Sequence, residues 1–554
     1  MAKESRSIYG ICVTLILLGW VFWSSKAESS DTFGQVAEEI RHEAALPNQS
    51  DIGRPLPLAA TWNTGQFPTG FTPDYQMHLI EQGHYILPAF FLPPPKNRGP
   101  GEDPGDAYFE AATKKAAALK LPISFVGTEW ESVLTTDPNY FNLPPDKNPN
   151  VIGLDGSIQH KLDPLGPVDP WKEVGKKWTS TPLMNKLQEW YPDPPLVLFV
   201  SNNEANRLRW YEAESSSRYI SLYGKAKDDN VKRQVVGDGW IRLYRAFQAS
   251  MREGLTQRNW CDNAKFIGYD AFGPSCFGRW FDWEKYSLNI PGRIAPWPLA
   301  WDGATPSYYL YDWAQIADNL VWSPQVESMN WVFMLEEAHR LNPDFWFEIS
   351  TWDGDAQKRE YFTILGQVFN PERYGGMVKF GMWLLRPRVV REFRGYTDTV
   401  ANAGPYFLAV AAAVDSVHKE PLLRKFWRHG ELVANHAEQH PYQSNVPAEY
   451  HKVDRWFLLD TKLDPPRSWW LMTNLPVYSL ALVLGQSPER EWLIYTYCPL
   501  GPKPKVEIFL PDYGQITIDA SPSGVYYQVV ERTKVIKRID TTSVPLGGFR
   551  LTSS

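Results

Sequence analysis

Cysteine is scarce: the 554-residue chain has four, Cys12, Cys261, Cys276 and Cys498. With a leader ending at Ala27 removed, three remain, so a disulfide-stapled scaffold is excluded and only Cys261 and Cys276 are candidates to pair. Basic charge is also short, since 56 Lys and Arg stand against 63 Asp and Glu for a net charge of −7. No segment clusters the cations that phosphate neutralisation requires, which rules against nucleic acid as a partner. The ten histidines form no His-Glu-x-x-His or other close ligand spacing, so no metal is expected. A Gly-rich phosphate cradle and a dinucleotide fingerprint are both missing, and no cofactor is implied. Gly273-Pro-Ser275-Cys-Phe277 has Phe277 where a nucleophile elbow needs its second glycine, which argues against a serine hydrolase. Long hydrophobic runs are limited to Cys12–Trp23, well short of the roughly 20 residues that span a bilayer. Lys3 and Arg6 precede that run and Ser25 and Ala27 follow it, so residues 1–27 read as a signal peptide. Export to the periplasm or the cell exterior is expected, without stable membrane insertion after cleavage.

Aromatics, by contrast, are abundant: 25 Trp, 27 Tyr and 27 Phe make 14% of the chain, more than core packing requires. Flat rings suit the apolar faces of sugars, so a carbohydrate substrate is the expected partner. The 46 Pro and 38 Gly are spread along the chain and imply many ordered loops. From about residue 58 to 390 one theme recurs, a short apolar β-rich run followed by a loop and a helical pattern. The runs are 58–62, 85–91, 123–126, 196–200, 265–269, 323–326, 345–349 and 378–383. Helical patterns fall at 74–82, 107–120, 171–190, 235–255, 330–341 and 355–367. Eight such units predict an α/β fold, a (β/α)8 TIM barrel with enlarged loops. After it, 401–435 reads as helix, and alternating runs at 492–498, 505–510, 514–519 and 524–530 predict a small C-terminal antiparallel β-sandwich. The expected division is an N-terminal extension at 28–54, a barrel at 55–400, a helical connection at 401–468 and the sandwich at 469–554.

A (β/α)8 barrel builds its active site at the C-terminal ends of its strands. Two glutamates stand out on that rule: Glu204 in Phe199-Val-Ser-Asn-Asn-Glu204, past the fourth run, and Glu348 in Phe345-Trp-Phe-Glu-Ile349, the seventh. Retaining glycoside hydrolysis needs two carboxyls, one to protonate the leaving oxygen and one to attack the anomeric carbon. With Asn203 before Glu204 and Glu348 in the seventh run, the chain resembles the clan A retaining glycoside hydrolases, the superfamily of cellulases, mannanases and many β-galactosidases, over roughly residues 55–390. The resemblance implies that Glu204 is the acid/base, Glu348 the nucleophile, Asn203 a 2-hydroxyl ligand and Trp383 the aromatic platform closing the eighth strand. Two features depart from the clan pattern. No Arg closes the second run, and the Tyr or His expected after the sixth is unassigned or lies at Tyr308-Tyr309.

Further candidates for substrate contact are Trp62, Trp130, Glu131, Trp352 and Glu327, and Glu327 or Asp353 would serve in a differently placed pair of an inverting enzyme. Glu129 follows the third run with Glu131. The loop from Cys261 to Trp322 carries enough rings, Trp280, Trp283, Trp297 and Trp301 among them, to wall a sugar cleft. Arg207, Arg209, Arg279, Arg293, Arg386 and Arg388 are placed to meet sulfate or carboxylate on an acidic polysaccharide. A β-galactoside of an algal-type galactan is the expected substrate. The rival reading is a non-catalytic carbohydrate-binding or surface-scaffold protein that kept the barrel and its rings.

Overall fold

Short apolar strands buried on both faces need helices outside them and one another inside, and a closed parallel ring meets both needs. The computed structural model describes residues 33–47, 53–61, 73–91, 105–128, 130–202, 205–269, 297–309, 341–354, 369–393, 400–435, 457–459, 477–499 and 501–541, with 331, 332, 335, 338 and 339. The first barrel strand, Leu58–Thr61, pairs with the eighth, Val389–Glu392, and the eighth with the seventh, Trp346–Trp352. The seventh pairs with a sixth strand in two pieces, Gly303–Ala304 and Ser307–Tyr309. The ring continues through the fifth, Ala264–Gly268, the fourth, Val197–Asn202, the third, Ile123–Thr128, and the second, Ala89–Phe91. A parallel bridge between Ala59 and Ile86, with the Leu87 amide donating to the Ala59 carbonyl at 2.7 Å, returns the second strand to the first and nearly closes the barrel.

Local chemistry explains where the structure departs from the sequence pattern. The run 378–383 is not the eighth strand but the centre of a helix, Pro371–Leu385. Asn370 caps it by accepting from the Arg373 amide, Pro371 sits in its first turn, and Arg386 ends it in the left-handed region at φ +50°. The strand follows at Val389. Residues 323–326 lie outside the described residues, and the sixth position is held by 303–309. There a β-carbon on Gly303 would come within 2.1 Å of the Trp346 carbonyl oxygen. The pattern at 171–190 is two helices, Asp169–Thr179 and Pro182–Trp190, because Pro182 lacks the N–H a continuous helix needs and Thr181 caps the second helix through the Met184 amide. Residues 355–367 lie outside the described residues.

Beyond the barrel, helices Val400–Lys419 and Pro421–His429 end at Gly430, and Glu431–Leu432 already joins a sheet rather than continuing a helical connection. That five-stranded antiparallel sheet runs Glu431–Leu432, Tyr478–Leu484, Glu491–Tyr497, Val525–Val530, Val535–Ile539, with a separate hairpin of Lys503–Leu510 and Gly514–Ala520. A second apolar core, including Trp492, Ile494, Val506, Ile508, Ile516 and Ile518, lies between them. The helix Pro371–Leu385 docks the barrel onto this sheet: Trp383 donates to the Tyr526 hydroxyl at 2.7 Å and Tyr495 to the Gly376 carbonyl at 2.6 Å. At the N-terminal ends of the strands, the helix Phe33–Ala45 seals the barrel floor. Its Glu43 accepts from the Leu56 amide at 2.6 Å, and Arg388 donates to the Ala44 and Leu46 carbonyls. Among the described residues no helix is long and apolar enough to cross a membrane, and no group of three or more His, Cys, Asp or Glu is arranged to hold a metal.

Candidate functional site

The seventh strand alternates cleanly, and its alternation sets the depth of each side chain. Trp346 donates its indole N–H to Glu348 at 2.8 Å, so both point to one face. Thr351 faces the other way, accepting from Tyr374 of the outer helix at 2.9 Å. Trp346, Glu348, Ser350 and Trp352 therefore line the lumen. Arg391 of the eighth strand binds Glu348 twice, Nε to Oε2 at 2.7 Å and Nη2 to Oε1 at 3.1 Å, and the same Nη2 reaches Ser124 Oγ at 3.1 Å. Ser124 is on the third strand, which is not a neighbour of the eighth, so Arg391 spans the barrel interior. Glu348 and Arg391 are both fully buried.

This places Glu348 well below the mouth. Four residues of strand, about 13 Å, separate it from Trp352, and Ser350 and Arg391 occupy the lumen above it. Below it, Arg388 stacks its guanidinium over the Trp346 ring at 4.6 Å from the centroid, and burial draws that guanidinium down to about 10. The expected strand-end position of Glu348 thus fails, because the strand continues through Ile349-Ser-Thr-Trp352. The carboxylate at the strand end is Asp353, which is buried, and Gly354 at φ +81° turns the chain away immediately after it.

The mouth itself is aromatic on one side. Tyr269, Tyr309, Trp352 and Phe393, at or just past the ends of the fifth to eighth strands, form a continuous wall. Tyr309 lies 5.4 Å from Trp352 edge-on and 5.8 Å from Phe393, and Trp352 is 5.4 Å from Phe393. Tyr269 donates to the Tyr309 hydroxyl at 3.1 Å. Trp352 and Phe393 are partly exposed, the other two buried. Tyr308 donates to the Met377 carbonyl of the outer helix at 2.9 Å, and of the two neighbouring tyrosines it is Tyr309 that joins the wall. Its hydroxyl accepts from Ser350 at 3.5 Å.

The remaining expected residues divide sharply. Trp383 is no platform: it is fully buried in the outer helix against Trp427, at 5.2 Å, and Tyr526, at 5.8 Å. Trp130 packs outside the sheet edge-on to Phe199, its carbonyl accepting from Trp178 at 3.1 Å, and Glu131 is buried behind the fourth strand. Neither lines the lumen. Trp62, Glu129, Asn203, Glu204, Asp270 to Pro296, which includes Cys276, Trp280, Trp283, Arg279 and Arg293, and Glu327 lie outside the described residues. Arg386 is buried, capping carbonyls of Gly430 and Trp427, and Arg388 belongs to the floor, so neither meets substrate. Trp301 is core, 4.8 Å from Tyr244. Cys261 is a free thiol that donates to the Arg252 carbonyl at 3.3 Å. Sequence reasoning missed Arg391 and Phe393. An arginine within Val389-Val-Arg-Glu392 is the signal that would have found the first.

No protein-family model matches the chain, and no curated protein is significantly similar to it. Among solved structures it is similar to a GH30 endoxylanase from Clostridium papyrosolvens C71, at 9% identity over 87% of this chain and 96% of that one, with a TM-score of 0.37. It is also similar to the GH26 domain of an endo-beta-mannanase/endo-beta-glucanase from Prevotella bryantii, at 12% identity over 72% and 96% with a TM-score of 0.29. A trimodular GH5_4 endoglucanase is similar at 11% identity over 90% and 78%, with a TM-score of 0.31. Scores this low leave the chemistry to be argued from this chain's own residues.

Proposed function

We propose that the chain is an exported retaining β-glycoside hydrolase that cuts a poly- or oligosaccharide at the C-terminal mouth of its barrel, with Glu204 as acid/base and Asp353, rather than Glu348, as nucleophile. The observation that carries this assignment is the depth of the seventh strand: Glu348 is committed to Arg391 inside the barrel, whereas Asp353 is the first residue past the strand end, next in sequence to Trp352 of the Trp352–Phe393–Tyr309 wall. In this reading a sugar ring stacks on that wall with its anomeric carbon at the rim. Asp353 Oδ attacks that carbon while Glu204 gives its proton to the departing glycosidic oxygen. Glu204 then takes a proton from water, and the resulting hydroxide displaces Asp353 with net retention. The Asn203-Glu204 pair and the abundant aromatics support the glycan class. A β-galactoside of an algal-type galactan is the first substrate to try, and the apolar run Cys12–Trp23 behind Lys3 and Arg6 supports export.

The test is turnover on a panel of β-linked oligosaccharides, algal galactan fragments included, by wild type, Glu204→Gln, Asp353→Asn and Glu348→Gln. The first two variants are expected to lose about 100-fold to 10,000-fold in kcat while unfolding at the wild-type temperature. Glu348→Gln is expected to keep turnover per folded molecule and to unfold earlier. A folded, inactive Glu348→Gln beside an active Asp353→Asn would return the nucleophile to Glu348. Glycan binding without cleavage by wild type would make the barrel a binding protein.

A further inference from the structure

The Arg391 guanidinium does not spend all its hydrogens on the protein. Nε and one hydrogen of Nη2 go to Glu348, and the other hydrogen of Nη2 goes to Ser124 Oγ at 3.1 Å. Nη1 carries two more and has no acceptor among the described residues, although the side chain is fully buried. Charged donors left dry and unmatched are costly in a core. Ser124 adds a donor of its own. Its Oγ accepts from Arg391, and its O–H has no acceptor among the described residues.

Planar geometry brings these hydrogens together. In a guanidinium that grips a carboxylate through Nε and Nη2, the second hydrogen of Nη2 and one hydrogen of Nη1 lie parallel along the outer edge. An acceptor held by Nη1 on that edge stands beside Ser124 Oγ, within reach of its hydroxyl. The neighbouring inward positions leave room for one. On the first strand Ala60 is in register with Arg391, and on the second Ala89 is in register with Ser124, so both face the lumen. Each offers only a methyl group where barrel interiors are usually filled by Val, Ile or Leu.

The type of hydrogen bond and the balance of charge select the occupant. A water that accepted from Nη1 and Ser124 would still have its own hydrogens to place, and alanine methyls take none. A halide needs donors alone. On the described strands Lys265, Glu348 and Arg391 are the charged side chains that face the lumen, two cations against one carboxylate. Lys265 alternates with Phe266, which is in register with the outward Phe199, and Glu392 faces outward in register with Thr351.

We infer that Arg391 and Ser124 form a binding site for a monovalent anion of chloride size, enclosed in the barrel lumen beside Ala60 and Ala89. The site is independent of the chemistry at the mouth. Crystals of wild type grown in sodium bromide are expected to show a bromine anomalous peak within hydrogen-bond reach of Arg391 Nη1 and Ser124 Oγ. In solution, exchanging sodium gluconate for sodium chloride at constant ionic strength is expected to raise the unfolding temperature saturably, by about 2 °C or more. Screening cannot produce that shift, because the ionic strength is fixed. Ser124→Ala keeps the Arg391–Glu348 pair and is expected to need about 10-fold more chloride to reach half of its shift. Density at Nη1 that refines as water without a bromine signal overturns the site. So does an unfolding temperature indifferent to chloride, or the same chloride midpoint in Ser124→Ala as in wild type.

Discussion

Glu348 shows how one residue can satisfy a sequence pattern and occupy a different place. A glutamate in the seventh apolar run is visible in the sequence, but its depth depends on where the strand stops, and Ile349-Ser-Thr-Trp352 continues it by four residues. The alternation of Trp346, Glu348, Ser350 and Trp352 could have been read as one lumenal face. That Arg391 of the neighbouring eighth strand would bind it and also reach Ser124 across the barrel depends on ring closure, which no local pattern encodes. The pair is a buried, bidentate ion pair, and removing one partner of such a pair strands the other charge in a dry interior. Glu348→Gln and Arg391→Met are each expected to cost about 3–5 kcal/mol in urea unfolding, and the double variant clearly less than their sum. Additive losses would mean that the two side chains do not depend on each other.

At the scale of elements, most strands and helices were legible because their periods and caps are local, and the errors came where capping chemistry outweighed composition. Val378-Lys-Phe-Gly-Met-Trp383 has strand-like apolar content, but Asn370 and Pro371 upstream start a helix that runs through it. Trp383 then faces the C-terminal sheet instead of a sugar, which is why a platform was expected at the wrong residue. The docking of that helix is close enough to test. A β-carbon on Gly376 would lie 2.0 Å from the Pro522 carbonyl oxygen and 3.2 Å from the Tyr497 ring, and backbone cannot give way as a side-chain tip can. Gly376→Ala is expected to cost at least about 1–3 kcal/mol and to make the segment after residue 500 the first to be cut in limited proteolysis. Wild-type proteolysis and stability would show that the helix and sheet are not held at this contact.

Across the whole molecule, the eight-fold repeat was readable because each unit must bury its strand in the same way. The floor of the barrel was not, because the helix Phe33–Ala45 meets partners almost 400 residues away. Glu39 joins that floor: it accepts from Tyr85 Oη at 2.9 Å and pairs with Arg424 at 3.2 Å and with His418 at 3.5 Å. Burial alone would raise its carboxyl, but the His418 hydrogen bond and the charges of His418 and Arg424 outweigh burial and hold it at about 2. In the unfolded chain the same group titrates near its ordinary value of 4.5. A carboxyl depressed on folding contributes stability that is complete above the unfolded value and lost as pH falls through the folded one, here between 4.5 and about 2. The contribution is on the order of 2 kcal/mol, since the side chain keeps some contact with solvent. In urea titrations from pH 7 down to pH 2, wild type is expected to lose this increment below pH 4.5. Glu39→Gln should lack it at neutral pH and converge on wild type near pH 2. Parallel curves for the two proteins over that range would show that Glu39 does not tie the N-terminal helix to the barrel floor.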